Sequence, residues 1–260
     1  MLRALGAIYC IAFLSLAQQL LPLFGVNGIL PIADYLTALS TQDADALWHT
    51  PSLFWFAHSD QLLTIASWTG VGLSVAAILG FSNGLLFLFL WLLYLSFVNV
   101  GQIFYGYGWE VLLLEAGFLA IFFAPFLKIN QFSATEPPLC LNAFLFRWLL
   151  FRVLFGAGLI KFRAADPCWR ELSCLLYHYE TQPLPNPLSW YLHNMPDAVH
   201  RIGVLVNHFA EIVLPCLLFC PRKLRHTAGV LSIVFQLLLI ASGNLSWLNW
   251  LTIAIAFVCF

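Results

Sequence analysis

The sequence predicts an all-α fold: a polytopic transmembrane helical bundle of seven or eight spans, one domain over residues 1–260, with one ordered exoplasmic loop at about 161–201. Three observations predict it. The chain is 62% hydrophobic and 9% charged, with a mean hydropathy of +0.88; a soluble domain needs about 25% charged residues to cover its surface. Its apolar residues gather into eight runs. Its lysines and arginines fall mostly where one side of a membrane would hold them.

The runs cover residues 4–23, 62–79, 84–98, 111–127, 139–160, 202–218, 228–242 and 245–260. A spanning helix needs about 17–25 residues, so the third, seventh and eighth are short, and one of them need not cross. Backbone polar groups inside hydrocarbon must be paired within their own segment, which makes these runs helices. Prolines 22, 125 and 215 sit near run ends, where a missing N–H costs least. Arg3 and Ser15-Leu16-Ala17 also fit a cleavable leader; the expectation kept is an uncleaved first span.

Orientation follows from the basic residues. Arg3, Lys128, Arg222, Lys223 and Arg225 all fall on the cytoplasmic side of an eight-span bundle whose N-terminus is inside. Residues 22–61 contain four aspartates and no lysine or arginine, and they fall outside with the 161–201 loop. That loop has four basic residues, the one mismatch. No basic run suits nucleic acid, and no phosphate-binding glycine motif occurs.

Ionisable residues within spans are costly and mark ion pairs or function. Glu110 stands at the outer end of the fourth run and Glu115 about 7.5 Å deeper, at 1.5 Å per residue. In an antiparallel neighbour, Lys161 lies at the outer surface and Arg152 roughly 12 Å below it. Glu110–Lys161 and Glu115–Arg152 are therefore the expected pairs. His208 and Glu211, three apart, share a helix face, and a hydrogen-bonded structural pair is favoured over a proton-handling one. No metal or cofactor is expected; Cys216 and Cys220 have metal-like spacing but too few partner ligands.

The 161–201 loop concentrates the remaining chemistry. Gly156 and Gly158 precede it and let a neighbouring helix approach. Cys168 and Cys174 are six residues apart; an oxidising compartment permits a disulfide, and two free thiols are the plain alternative. Pro183, Pro185 and Pro187 alternate, which stiffens the segment. Trp169, Tyr177, Tyr179 and Trp190 suit the headgroup level. With Arg170, His178, Glu180, Gln182 and Asn186 they form the candidate recognition surface; a lid resting on the bundle explains them equally well.

Three stretches carry a resemblance: "FVNVGQIFYGYGWEVLLLEAGFLAIFFAP", "RWLLFRVLFGAGLIKFRAADPCWRELSCLLYHYETQPLPNPLSWYLH" and "LLLIASGNLSWLNWLTIAIAFVCF". They resemble the lipase maturation factor family of endoplasmic-reticulum membrane proteins. The resemblance implies a non-catalytic, chaperone-like role in folding and assembling secreted lipases, with lipid and lipase clients as partners and the endoplasmic reticulum membrane (an inner membrane in a bacterial source) as location. It also implies a lumenal domain beyond residue 260, for which the sequence has no residues. A fainter similarity joins "GAGLIK" to the membrane domain of vitamin K-dependent γ-carboxylases; in that alternative Lys161 is a catalytic base with Glu110 beside it. A nearby carboxylate favours the protonated lysine and works against the alternative.

Overall fold

A computed structural model describes residues 1–127, 140–164, 166–182, 184 and 186–260. The described residues are helical or irregular, without strands. Lys128, Pro183 and Pro185, to which the sequence reading gave roles, lie outside them. The chain divides into two compact units, Met1–Asn142 and Ala143–Phe260.

The first unit contains α1 (Leu2–Phe24), α2 (Ile32–Gln42), the single turn α3 (Ala46–His49), α4 (Asp60–Leu79), α5 (Gly84–Val100) and α6 (Gly108–Phe123). Local chemistry sets the ends. Ser59 accepts a hydrogen bond from the Leu62 N–H at the start of α4, and Asn83 accepts one from Leu86 at the start of α5, which satisfies orphan donors of the first turn. Gly80 closes α4 at φ 105°, a left-handed conformation that favours glycine. Pro125 ends α6 early: Ala124 before it is extended, as a residue preceding proline is pushed to be. The fourth apolar run therefore yields a helix that stops at Phe123.

Helix α1 packs along α4, and α5 packs against both α4 and α6. The close approach of α1 and α4 depends on Gly70, where a Cβ would lie 2.4 Å from the Phe13 ring. Around Phe13 an aromatic core assembles: Tyr9, Tyr94, Phe97 and Phe54 have neighbouring ring centroids 4.7–6.5 Å apart, and all are buried. Residues 4–127 contain no lysine or arginine.

The second unit contains most of α7 (Cys140–Arg163), then the short helices α8 (Pro167–Arg170), α9 (Cys174–His178) and α10 (Ser189–His193), then α11 (Asp197–His208), α12 (Arg222–Ser242) and α13 (Leu248–Ala256). Helix α11 runs on to Phe219 through a π-helical turn, Phe209–Val213, and a 3-10 segment, Leu214–Phe219. Pro215 explains the change of winding. It has no N–H to give to the Glu211 carbonyl and its ring crowds that carbonyl, so the ladder widens, with Leu214 N–H bonding Phe209 O. Helix α12 starts before its apolar run, so Arg222, Lys223 and Arg225 lie in its first turns rather than in a loop; Arg225 Nε donates to Cys259 O at 3.1 Å.

Among the described residues five helices are long and apolar enough to cross a membrane: Leu2–Phe24, Asp60–Leu79, Cys140–Arg163, Asp197–Phe219 and Arg222–Ser242. Their outer faces are apolar as well. Ile65, Trp68, Trp148, Ile160, Val234 and Leu238 are all exposed, a surface suited to lipid and costly in water. The protein is a multi-pass membrane protein.

Candidate functional site

The polar centre of the second unit joins α7 to α11. Lys161, in the last turn of α7, places its Nζ 2.6 Å from both Glu211 oxygens and 2.7 Å from Asn207 Oδ1. Asn207 Nδ2 in turn lies 3.4 Å from Glu211 Oε1. Glu211 and Asn207 are buried and Lys161 is half-buried. The helices approach closely here because Gly158 faces α11: a Cβ on it would stand 2.6 Å from Ile212 Cδ1 and 2.9 Å from Glu211 Cβ. Gly156, the other glycine expected at this contact, has open space around it.

Trp169 roofs the cluster. Lys161 Nζ lies 4.7 Å from its ring centroid, in the range of a cation–π contact. The backbone carbonyl of Trp169 is 3.0 Å from His208 Nε2, and His208 also packs on Phe162, with centroids 4.7 Å apart.

These contacts differ from two of the expected pairs, Glu110–Lys161 and His208–Glu211. Lys161 commits its ammonium to Glu211 and Asn207, which leaves its three donors engaged within its own unit. Glu110 is buried in the first unit, where it accepts from Tyr94 Oη and, at 3.0 Å, from Trp109 Nε1. Glu211 takes lysine and asparagine, while its anticipated partner His208 turns to Trp169.

The segment above this centre is built from its own short helices. Asp166 caps α8 by accepting from Cys168 N–H at 3.0 Å. Cys168 and Cys174 form a disulfide, with Cα atoms 4.7 Å apart. Asp166 and the two sulfurs lie close together, but sulfurs bonded to one another are not thiolate ligands for a metal. Further along, Gln182 and Asn186, two of the expected recognition residues, hydrogen-bond the end of α12 together with Ser189. Gln182 Nε2 donates to Ser242 O at 2.9 Å, Asn186 Nδ2 to Ile240 O at 3.2 Å and Gly243 O at 3.1 Å, and Ser189 Oγ to Ser242 O at 2.9 Å. A helix end has carbonyls without intrahelical partners, and this segment supplies donors for them.

The remaining candidates lie nearer the surface. Arg170 Nη2 is 3.5 Å from Phe162 O. Tyr179 packs on His200, and Glu180 faces His193 at 3.8 Å. Tyr177 and Trp190 are 58% and 68% exposed.

A family model described as the lipase maturation factor transmembrane domain matches residues 1–260. The chain belongs to the lipase maturation factor family. Lipase maturation factor 1 of Bos taurus is 43% identical, over all of this chain and 48% of its own length. That of Mus musculus is 44% identical, over all of this chain and 47% of its own. Lipase maturation factor 2 of Rattus norvegicus is 36% identical, over 98% of this chain and 38% of its own. The chain spans about half the length, or less, of these curated relatives. No solved structure matches it.

In this member of the lipase maturation factor family, sequence reasoning missed Asn207 and Tyr94. Asn207 lies four residues before Glu211 inside an apolar run, a spacing that places both on one helix face and that could have found it. Tyr94 had no such signal, because its partner Glu110 lies on another helix.

Proposed function

We propose that this chain assists the folding and assembly of secreted lipases at the endoplasmic reticulum membrane and does no catalysis of its own. The names of its relatives set the client class. The observation that carries the reading is the division of labour among the described residues of 164–196: the half-buried side chains of Gln182 and Asn186 attach the segment to α12, while Tyr177, Trp190 and Tyr191 remain exposed at 58%, 68% and 62%. Rigidly presented aromatics are economical recognition groups, since little side-chain entropy is lost when they are covered. Lys161 fits this reading better than the role of base, because an ammonium held between a carboxylate and an amide has no lone pair to offer.

In the proposed topology the five long helices cross the bilayer, and α5, α6 and α13 with its 3-10 extension supply up to three shorter crossings. The segment 164–196 then faces the lumen as an ordered cap. Support comes from the lack of lysine and arginine in residues 22–61 and from the basic start of α12, which suits a cytoplasmic helix end. The test measures lipase activity secreted by cells that depend on the expressed chain, together with lipase co-purification. Trp190→Ala and Tyr177→Ala should lower both several-fold at unchanged membrane protein level. Unchanged binding in both variants would remove the cap as the client surface. Loss of activity confined to Lys161→Ala, at a wild-type level of folded protein, would favour the enzymatic alternative.

A further inference from the structure

Beside the disulfide lies a hollow of about 380 Å³, within the size range of small-molecule pockets. Its walls include Asp166, Trp169, Tyr177, His178 and Thr181 as well as the two bonded cysteines. We propose that it binds a quaternary ammonium group, the chemistry of a choline headgroup.

Four observations lead there. Trp169 and Tyr177 are among the lining residues, and a ring face attracts a cation through its quadrupole; the Trp169 ring already takes the Lys161 ammonium at 4.7 Å. One carboxylate, Asp166, supplies the compensating charge. Acceptors are otherwise few: Asp166 Oδ1 already holds the Cys168 N–H, and the Thr181 hydroxyl donates to Tyr177 O at 2.9 Å. A primary ammonium has three N–H donors to satisfy and would lose contacts here, whereas a quaternary one has none. Finally, no lysine or arginine lines the hollow, and the Lys161 charge beneath it is matched by Glu211. An anion would therefore meet a carboxylate and no cation.

His178 fits the same picture. It is exposed at the rim, yet packing desolvates the ring enough, with the positive charge of Lys161, to push it below the ordinary histidine pKa. A neutral imidazole at the mouth does not repel a cation. The hollow lies a few residues beyond Arg163, the last residue of α7, which on the proposed topology is headgroup depth.

The experiment uses the full chain in maltoside micelles, which contain no choline. Saturation-transfer NMR reads the methyl protons of tetramethylammonium, with ammonium at equal ionic strength as competitor. The expected result is saturable transfer that ammonium barely displaces, weakened about two- to fivefold in Tyr177→Leu and lowered again in Asp166→Asn. Asparagine still caps α8, so that variant keeps the local fold. Trp169 is left intact because it also covers Lys161. Equal transfer in the parent and both variants, or equal displacement by ammonium, would overturn the assignment. The source of the group is then read in nanodiscs. Weaker apparent binding of soluble phosphocholine in phosphatidylcholine discs than in phosphatidylglycerol discs assigns the site to a bilayer headgroup. Equal binding assigns it to a soluble or protein-borne quaternary group.

Discussion

Glu211 receives the Lys161 ammonium on both of its oxygens, at 2.6 Å each, from the middle of a π-helical turn. Single π turns recur at functional sites. Here Pro215 makes the turn and the turn carries the carboxylate, so a backbone irregularity and an ion pair share one cause.

Breaking this pair on one side strands the other charge. Glu211→Gln or Lys161→Met should cost about 3–5 kcal/mol, read as less folded protein and earlier thermal unfolding in detergent. The double variant Lys161→Met/Glu211→Leu should recover most of the loss, since apolar replacement of a whole buried pair is often tolerated. Wild-type stability in both single variants would show that the pair holds nothing together.

The two glycines of α7 separate packing from backbone effects. Gly158→Ala places a Cβ 2.6 Å from Ile212 Cδ1 and should lower stability by about 1–3 kcal/mol through overpacking. Gly156→Ala meets nothing within 4 Å and should be neutral or stabilising, by up to about 1 kcal/mol from helix propensity. Thermal unfolding of the two variants side by side distinguishes them; equal responses would refute the α7–α11 contact.

Asn186 donates to two carbonyls at the end of α12. Asn186→Ala leaves both without this donor, at about 1–3 kcal/mol if they stay dry. Limited proteolysis should then cut within residues 182–196 before the bundle unfolds. An unaltered digestion rate would mean the segment is held by other contacts.

Cys168→Ser opens a short ring, and the chain-entropy contribution of such a ring is about 2 kcal/mol. The expected outcome is a loosened α8–α9 region with an intact bundle. Thiol labelling of the unreduced parent should leave Cys168 and Cys174 unmodified; ready labelling of both would exclude the disulfide in the native protein.

The five long apolar helices were legible in the sequence because lipid imposes one requirement on every residue of a segment; the expected seven or eight crossings go beyond those five. Where other requirements entered, the reading slipped. Pro125 cut α6 short of its apolar run, and α12 began within a basic stretch that hydropathy alone assigns to a loop. Charge partners were harder still. Depth matching selected Glu110 for Lys161, but Glu110 is satisfied by a tyrosine and an indole, groups that do not register as counter-charges. His208 and Glu211 share a face in an α-helix; the π turn between them changes that angle, and they serve different neighbours. Gln182 and Asn186 read as recognition groups because polar residues in a loop look available. Their partners are the main-chain carbonyls of α12, which no pattern of side chains reveals.

The missing lysines and arginines of residues 4–127 have a practical consequence. Trypsin cleaves after those two residue types, so even complete digestion releases α1 to α6 as a single fragment, residues 4–128, too large and too greasy for routine peptide mass spectrometry. Lys161, Arg163, Arg170, Arg201 and Arg222, by contrast, divide the neighbourhood of the Lys161–Glu211 pair into pieces far smaller than that fragment. Peptide coverage of this protein will therefore be lopsided, and quantification or cross-linking of its first half needs chymotrypsin or pepsin.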